Sequence, residues 1–229
     1  MDAVVEPVMG TLAFDVAHML AGGLVLLSFV MIYQDRLTSL LNVFALQAAV
    51  LAATVAWQAY VQDAHHLYVT AAIALVLKAG IVPWALHRMV QRMGMHREVE
   101  TVAGAGLIML MGMGLVALSI LLMLQLTQSA ENPLAREDLA FALSVVLLGL
   151  LMMVTRYNAV SQVVGFMSLE NGLILAATGA KGMPFVVEIS VAFSVLIAMI
   201  VIGVFLFRIR ERFDTVDVGA LDAFRGDRE

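Results

Sequence analysis

The chain has 229 residues, of which 62% are hydrophobic and 14% charged, with a net charge of -5 and a mean hydropathy of +0.96. A soluble domain carries about 25% charged residues, so this composition is that of an integral membrane protein. No basic stripe points to nucleic acid, and zero cysteines exclude disulfides, thiolate metal sites, iron–sulfur clusters and c-type haem attachment within the chain.

Apolar runs of about 18 residues or more mark spanning helices, and seven are predicted. The first runs from Thr11 to Tyr33. The residues before it, MDAVVEPVMG, lack the positive n-region and the A-x-A-like site of a cleavable signal peptide, so this helix is expected to insert directly and stay. It carries Asp15 and His18, which share a helix face at i and i+3 near its outer end. They are candidates for a proton entry or exit relay, the alternative being an interfacial polar patch. His18 alone of five histidines falls inside an apolar span, which disfavours a paired-histidine haem site.

The second span, Ser39 to Tyr60, carries small residues at Ala45, Ala49 and Ala53 and at Ala48, Ala52 and Ala56, which lets neighbouring helices approach. The third, Leu67 to Leu86, is interrupted by Lys78. A charge at mid-membrane costs roughly 2.5 to 3.5 kcal/mol on insertion scales, so one that is kept is by default a candidate for ion or proton chemistry. The alternative is an ion pair that fixes helix packing. Pro83, five residues on, is expected to loosen the helix one turn later and to free carbonyls that can hold water or a cation.

The fourth and fifth spans, Val102 to Thr127 and Asp138 to Thr155, are continuous apolar runs. The sixth, Ser161 to Thr178, contains Glu170 in the motif SLENG, again near the middle of the span. A desolvated glutamate holds its proton more tightly, which suits a carrier that alternates between charged and neutral forms. Its alternative is a structural carboxylate held by Asn171 or by neighbouring hydroxyls. Because the third and sixth spans run in opposite directions, Lys78 and Glu170 reach similar depth, as neighbours or as two stations on one path. The seventh span, Pro184 to Phe207, carries Glu188 near its outer end, where a helix N-terminus favours a carboxylate. Water access there is the functional reading. The adjacent His65 and His66 have no further ligand at fitting spacing, and no metal or catalytic centre is expected.

Cytoplasmic loops carry an excess of Lys and Arg. With the N-terminus outside, seven spans place Arg36, Arg88, Arg92, Arg97, Arg156, Arg208, Arg210, Arg212, Arg225 and Arg228 on the cytoplasmic side and only Arg136 and Lys181 outside. The expected fold is therefore all-α and polytopic, with seven transmembrane helices, the N-terminus outside and the C-terminus cytoplasmic. Three regions follow: a four-helix membrane region over residues 1–136, a three-helix module over 137–210, and a polar tail over 211–229.

The run LKAGIVPWAL, the segment GLLMMVTRYNAVSQVVGFMSLENGLIL from Gly149 to Leu175, the block GMPFVVEI and the ending TVDVGALDAFRG resemble component E of hydrogenase-4-type complexes. The part from Asp138 to Gly226 is also similar to the K-type subunit of respiratory complex I and the C-type subunit of multisubunit cation/proton antiporters. In those subunits a membrane glutamate on the second helix belongs to a lateral chain of charges, and Glu170 occupies the matching place. The K-type subunit has a further glutamate midway down its last helix, where Val195 to Ala198 are apolar here; Glu188 is the nearest substitute.

The resemblance implies a non-catalytic subunit of a bacterial inner-membrane complex, placed beside antiporter-like subunits and a peripheral redox arm. Iron–sulfur clusters and a nickel–iron or other redox centre are expected in those partners, with no cofactor in this chain. Lys78, Glu170, Glu188, Asp15 and His18 are then expected along a proton or sodium path. The alternatives are a purely structural anchor of the same complex and a free-standing seven-helix transporter.

Overall fold

The computed structural model describes residues 2–92, 101–126 and 133–179, with Leu196 and Ile200; side chains are described for 14–91, 101–125 and 138–178 and for those two residues. The elements in chain order are α1 (Asp2–Tyr33), α2 (Leu37–Val61), α3 (His66–Ile73), a π-helical segment (Ala74–Ile81), α4 (Val82–Arg92), α5 (Ala105–Leu126), α6 (Pro133–Thr155) and α7 (Ala159–Gly179). No strand occurs among the described residues. Among the described residues, six stretches are long and apolar enough to cross a membrane: Phe14–Tyr33, Leu37–Val61, His66–Gln91, Ala105–Gln125, Asp138–Thr155 and Ala159–Thr178. They coincide with the first six expected spans, except that the third runs a turn further than expected. The expected seventh span, apart from Leu196 and Ile200, and the polar tail lie outside the described residues.

Helix ends follow from local chemistry. At the end of α2, Asp63 takes a positive φ of 53°, and the Ala64 amide donates to the Ala59 carbonyl at 3.0 Å. That is a left-handed cap in which aspartate stands where glycine is commoner, because its short polar side chain tolerates the conformation. At the start of α7, Asn158 Oδ1 accepts from the Val160 amide at 2.8 Å, satisfying a helix donor that would otherwise lack a partner. Between α5 and α6–α7, Thr101 pairs with Arg156 in an isolated antiparallel bridge, and the Val102 amide donates to Thr155 O at 2.9 Å.

In the packing, α2 touches α1, α7 and the α3–π rod, while α6 touches α1, α5 and α7. The tightest pair is α6 against α7, and glycine makes it so. A Cβ on Gly149 would come 2.6 Å from the Leu169 amide nitrogen, and one on Gly172 would come 2.9 Å from the Ala142 carbonyl oxygen. Two backbones in direct contact need residues without side chains at the crossing. In α2, Ala48 and Ala52 are buried, Ala45, Ala49 and Ala56 are half-buried and Ala53 is exposed, so the row with Ala48 turns further into the bundle than the row with Ala45. The close approaches of Gly149 to Leu169 and Gly165, and of Gly172 to Ala142 and Val146, hold α7 in one rotation, with Glu170 and Asn171 buried.

Candidate functional site

Lys78 sits in the π-helical segment and is 1% exposed. Pro83 has no N–H to return to the preceding turn and its ring crowds the carbonyl four residues back, which is a physical reason for a widened turn just before it. The disturbance was expected one turn after the lysine; the structure places it around the lysine, because a proline removes its bond from the residues that precede it. The extra residue in this turn rotates the side chains within it relative to a regular helix.

From there, Lys78 Nζ donates to Asn171 Oδ1 at 2.8 Å and lies 3.2 Å from Glu170 Oε2. Asn171 Nδ2 donates to Gln47 Oε1 at 3.2 Å. Gln47 Nε2 then donates to Ser28 Oγ at 2.8 Å and to Ser168 Oγ at 3.0 Å, and Ser28 Oγ donates to Leu24 O at 2.9 Å. All six of these side chains are buried. One connected polar chain thus crosses from the π segment through α7 and α2 to α1. Its charged end is the lysine–glutamate pair, and its neutral end is a serine whose hydroxyl donates a hydrogen bond to the Leu24 carbonyl. A buried charge persists when paired and hydrogen-bonded, and this arrangement supplies both.

Of the other candidate residues, His18 is half-buried and faces α6, where its Nε2 lies 3.9 Å from Asp138 Oδ1 and its ring meets Phe141 edge-on. Asp15 is exposed. Three residues along a helix leave their directions about 60° apart, enough to turn one inward and the other out. The carboxylate beside His18 is therefore Asp138, not Asp15, and the expected two-residue relay on α1 is replaced by a contact between α1 and α6. Glu188 lies outside the described residues. The structure brings Lys78 and Glu170 together and leaves His18 and Asp15 out of their network.

Two features were missed in the sequence. Gln47, fully buried, is the branch point of the network, and a polar residue inside ALQAAVLAA was the available signal. Arg156, read from the sequence only as one of the cytoplasmic-side arginines, is 2% exposed and donates through Nη2 to Ile32 O and, at 3.5 Å, to Met31 O, capping the end of α1. Burial pushes its guanidinium below the usual arginine value, and the carboxylate of Asp35 counters part of that. Nothing in its local motif, RYN, distinguishes it from an exposed arginine.

Compared with known proteins, the chain is 33% identical over 209 residues to an uncharacterized protein of Mycobacterium tuberculosis, covering 90% of this chain and 94% of the other. It is 29% identical over 216 residues to hydrogenase-4 component E of Escherichia coli K12, covering 92% of this chain and 98% of that protein, and matches the Shigella flexneri component E to the same extent. The chain is homologous to hydrogenase-4 component E. No family model and no solved structure matches it. The alignment to component E runs almost end to end, so the similarity covers both the spans that carry Ser28, Gln47 and Lys78 and the span that carries Glu170 and Asn171.

Proposed function

We propose that this chain is a membrane subunit of a hydrogenase-4-like redox complex, and that Lys78, Glu170 and Asn171 form one station of a proton or sodium path driven by electron transfer in partner subunits. The observation that carries the reading is the Lys78–Glu170 pair: opposite charges 3.2 Å apart, buried within stretches that are otherwise bilayer-spanning in composition. Homology to component E supplies the setting. Seven spans with the N-terminus outside, Pro184–Phe207 being the seventh, follow from the hydropathy and from the distribution of arginines, in a bacterial inner membrane. Antiporter-like subunits and a redox arm would be the partners. Iron–sulfur clusters would be ligated there, because this chain has no cysteine to offer them.

The chemistry is electrostatic coupling. At an effective dielectric of about 20, unit charges 3.2 Å apart attract by about 5 kcal/mol, and at about 7 Å by about 2 kcal/mol. Drawing the lysine a few ångströms from the glutamate therefore changes a protonation equilibrium by about a hundred-fold. Lys78 is mounted on a π turn, where a shift of one hydrogen-bond register would re-aim its side chain. Asn171 offers its carbonyl to the ammonium whichever way the carboxylate is protonated, so the lysine keeps one partner while the other changes state. Gln47, Ser28 and Ser168 hold Asn171 in place.

The test is ion translocation per electron in the assembled complex with Glu170→Gln and with Lys78→Met. A station on the path predicts loss of most of the stoichiometry with assembly intact. Unchanged stoichiometry together with reduced complex yield would assign the pair to a structural anchor, and stable, active isolation of the chain without partners would favour a free-standing transporter.

A further inference from the structure

A second feature lies outside this network, on another side of the same rod. Between α2 and the turns that lead from the π segment into α4 is an open cleft of about 460 Å³. Its lining is graded along the helix. Ala45, Ala79, Gly80 and Pro83 form an apolar end, and Asn42, His87, Arg88 and Gln91 form a polar end, with Trp84 between them. Gly80 and Arg88 are separated by about 12 Å along the axis at 1.5 Å per residue. Because α2 runs antiparallel to the rod, Asn42 comes level with His87 and Arg88, and Ala45 with the apolar turns.

The Arg88 guanidinium lies 5.5 Å over the Trp84 ring and is exposed, and no carboxylate among the described residues pairs with it. Trp84 is itself 62% exposed. Arg88 is in the last turns of its span, at the depth where headgroups lie and where tryptophan is favoured for its amphipathic ring. A slot that is apolar toward the bilayer centre and cationic at the headgroup level matches the polarity gradient of a phospholipid and opposes that of a spanning helix, which would set apolar side chains against Arg88 and His87. We propose that this cleft binds an anionic phospholipid, with its phosphate held by Arg88, His87 and Asn42 and the start of an acyl chain lying over Gly80 beside Trp84. The volume is within the range of small-molecule sites, and a cation near the surface strengthens anionic lipid binding by about five-fold.

The proposal is tested on the full chain purified in a mild detergent, by native mass spectrometry with added phosphatidylglycerol, phosphatidylcholine or inorganic phosphate. Phosphatidylglycerol is expected to be retained in preference to phosphatidylcholine, and Arg88→Gln to lower that retention about five-fold, while Arg36→Gln leaves it unchanged. Gly80→Leu, whose added side chain points into open space with only Leu75 O as near as 3.8 Å, should also lower retention while keeping Arg88 in place. It decides the question if the arginine variant fails to fold. Equal retention of both lipids, retention indifferent to both variants, or displacement of the lipid by millimolar inorganic phosphate would overturn it, the last assigning the polar end to a free anion. The readout does not depend on ion translocation, so it stands or falls apart from the proposed path.

Discussion

Lys78, on the π-helical segment, and Glu170, on α7, are far apart in sequence yet meet with Nζ and Oε2 3.2 Å apart, each buried, Asn171 completing the lysine's surroundings. Removing one member leaves the other charge buried without its counter-ion, which costs about 3 to 5 kcal/mol, whereas removing both leaves none. Lys78→Met and Glu170→Gln should therefore each lower the unfolding midpoint of the detergent-solubilised protein substantially, and the double variant should fall less than the sum. Strict additivity would show that the two side chains do not interact.

Gln47 bonds Asn171, Ser28 and Ser168 at once. Gln47→Leu fills a similar volume while leaving polar partners in a dry interior, at about 1 to 3 kcal/mol. The outcome to look for is a lowered unfolding midpoint together with impaired translocation in the assembled complex, since Asn171 would lose the group that orients it. If translocation were untouched, the network beyond Asn171 would have no part in the path.

The α6–α7 crossing makes a steric forecast. Gly149→Val places a branched side chain where even a Cβ would be 2.6 Å from the Leu169 amide nitrogen. Overpacking of this kind costs about 1 to 3 kcal/mol and more where backbone must move. Expression yield and monodispersity in detergent should drop for Gly149→Val and remain at the parent level for Gly114→Ala, whose added Cβ would meet no neighbouring group within 4 Å.

Arg156→Gln removes a charge-assisted donor from the last carbonyls of α1, with an expected cost of about 1.5 to 3 kcal/mol. The guanidinium is shifted downward by burial, yet arginine stays protonated in proteins. The sign is that of a base with a lowered folded value, whose charged form is relatively disfavoured by folding; that penalty is complete below the folded value and fades only as pH rises through it toward the unfolded one. Because arginine stays protonated in proteins, the stability difference between Arg156→Gln and the parent should be flat across neutral pH. A steep dependence there in calorimetric or fluorescence-monitored unfolding would implicate another group.

Six spanning segments were legible in the sequence because hydropathy over about twenty residues reports a single physical demand, the cost of placing polar groups in hydrocarbon. The same demand exposed Lys78 and Glu170 as intrusions, and the family resemblance followed from the motifs around them. Partnership is another matter. That the lysine's companions are Glu170 and Asn171, that His18 turns to Asp138 instead of Asp15, and that Arg156 is buried at the end of α1 depend on rotations and crossings set by Gly149, Gly172 and the π turn before Pro83. Hydropathy is summed along a segment and holds little information on which face it turns to a neighbour in a chain that is apolar all round. Only packing, where a missing Cβ or one extra residue in a turn rotates a helix, decided which polar groups meet.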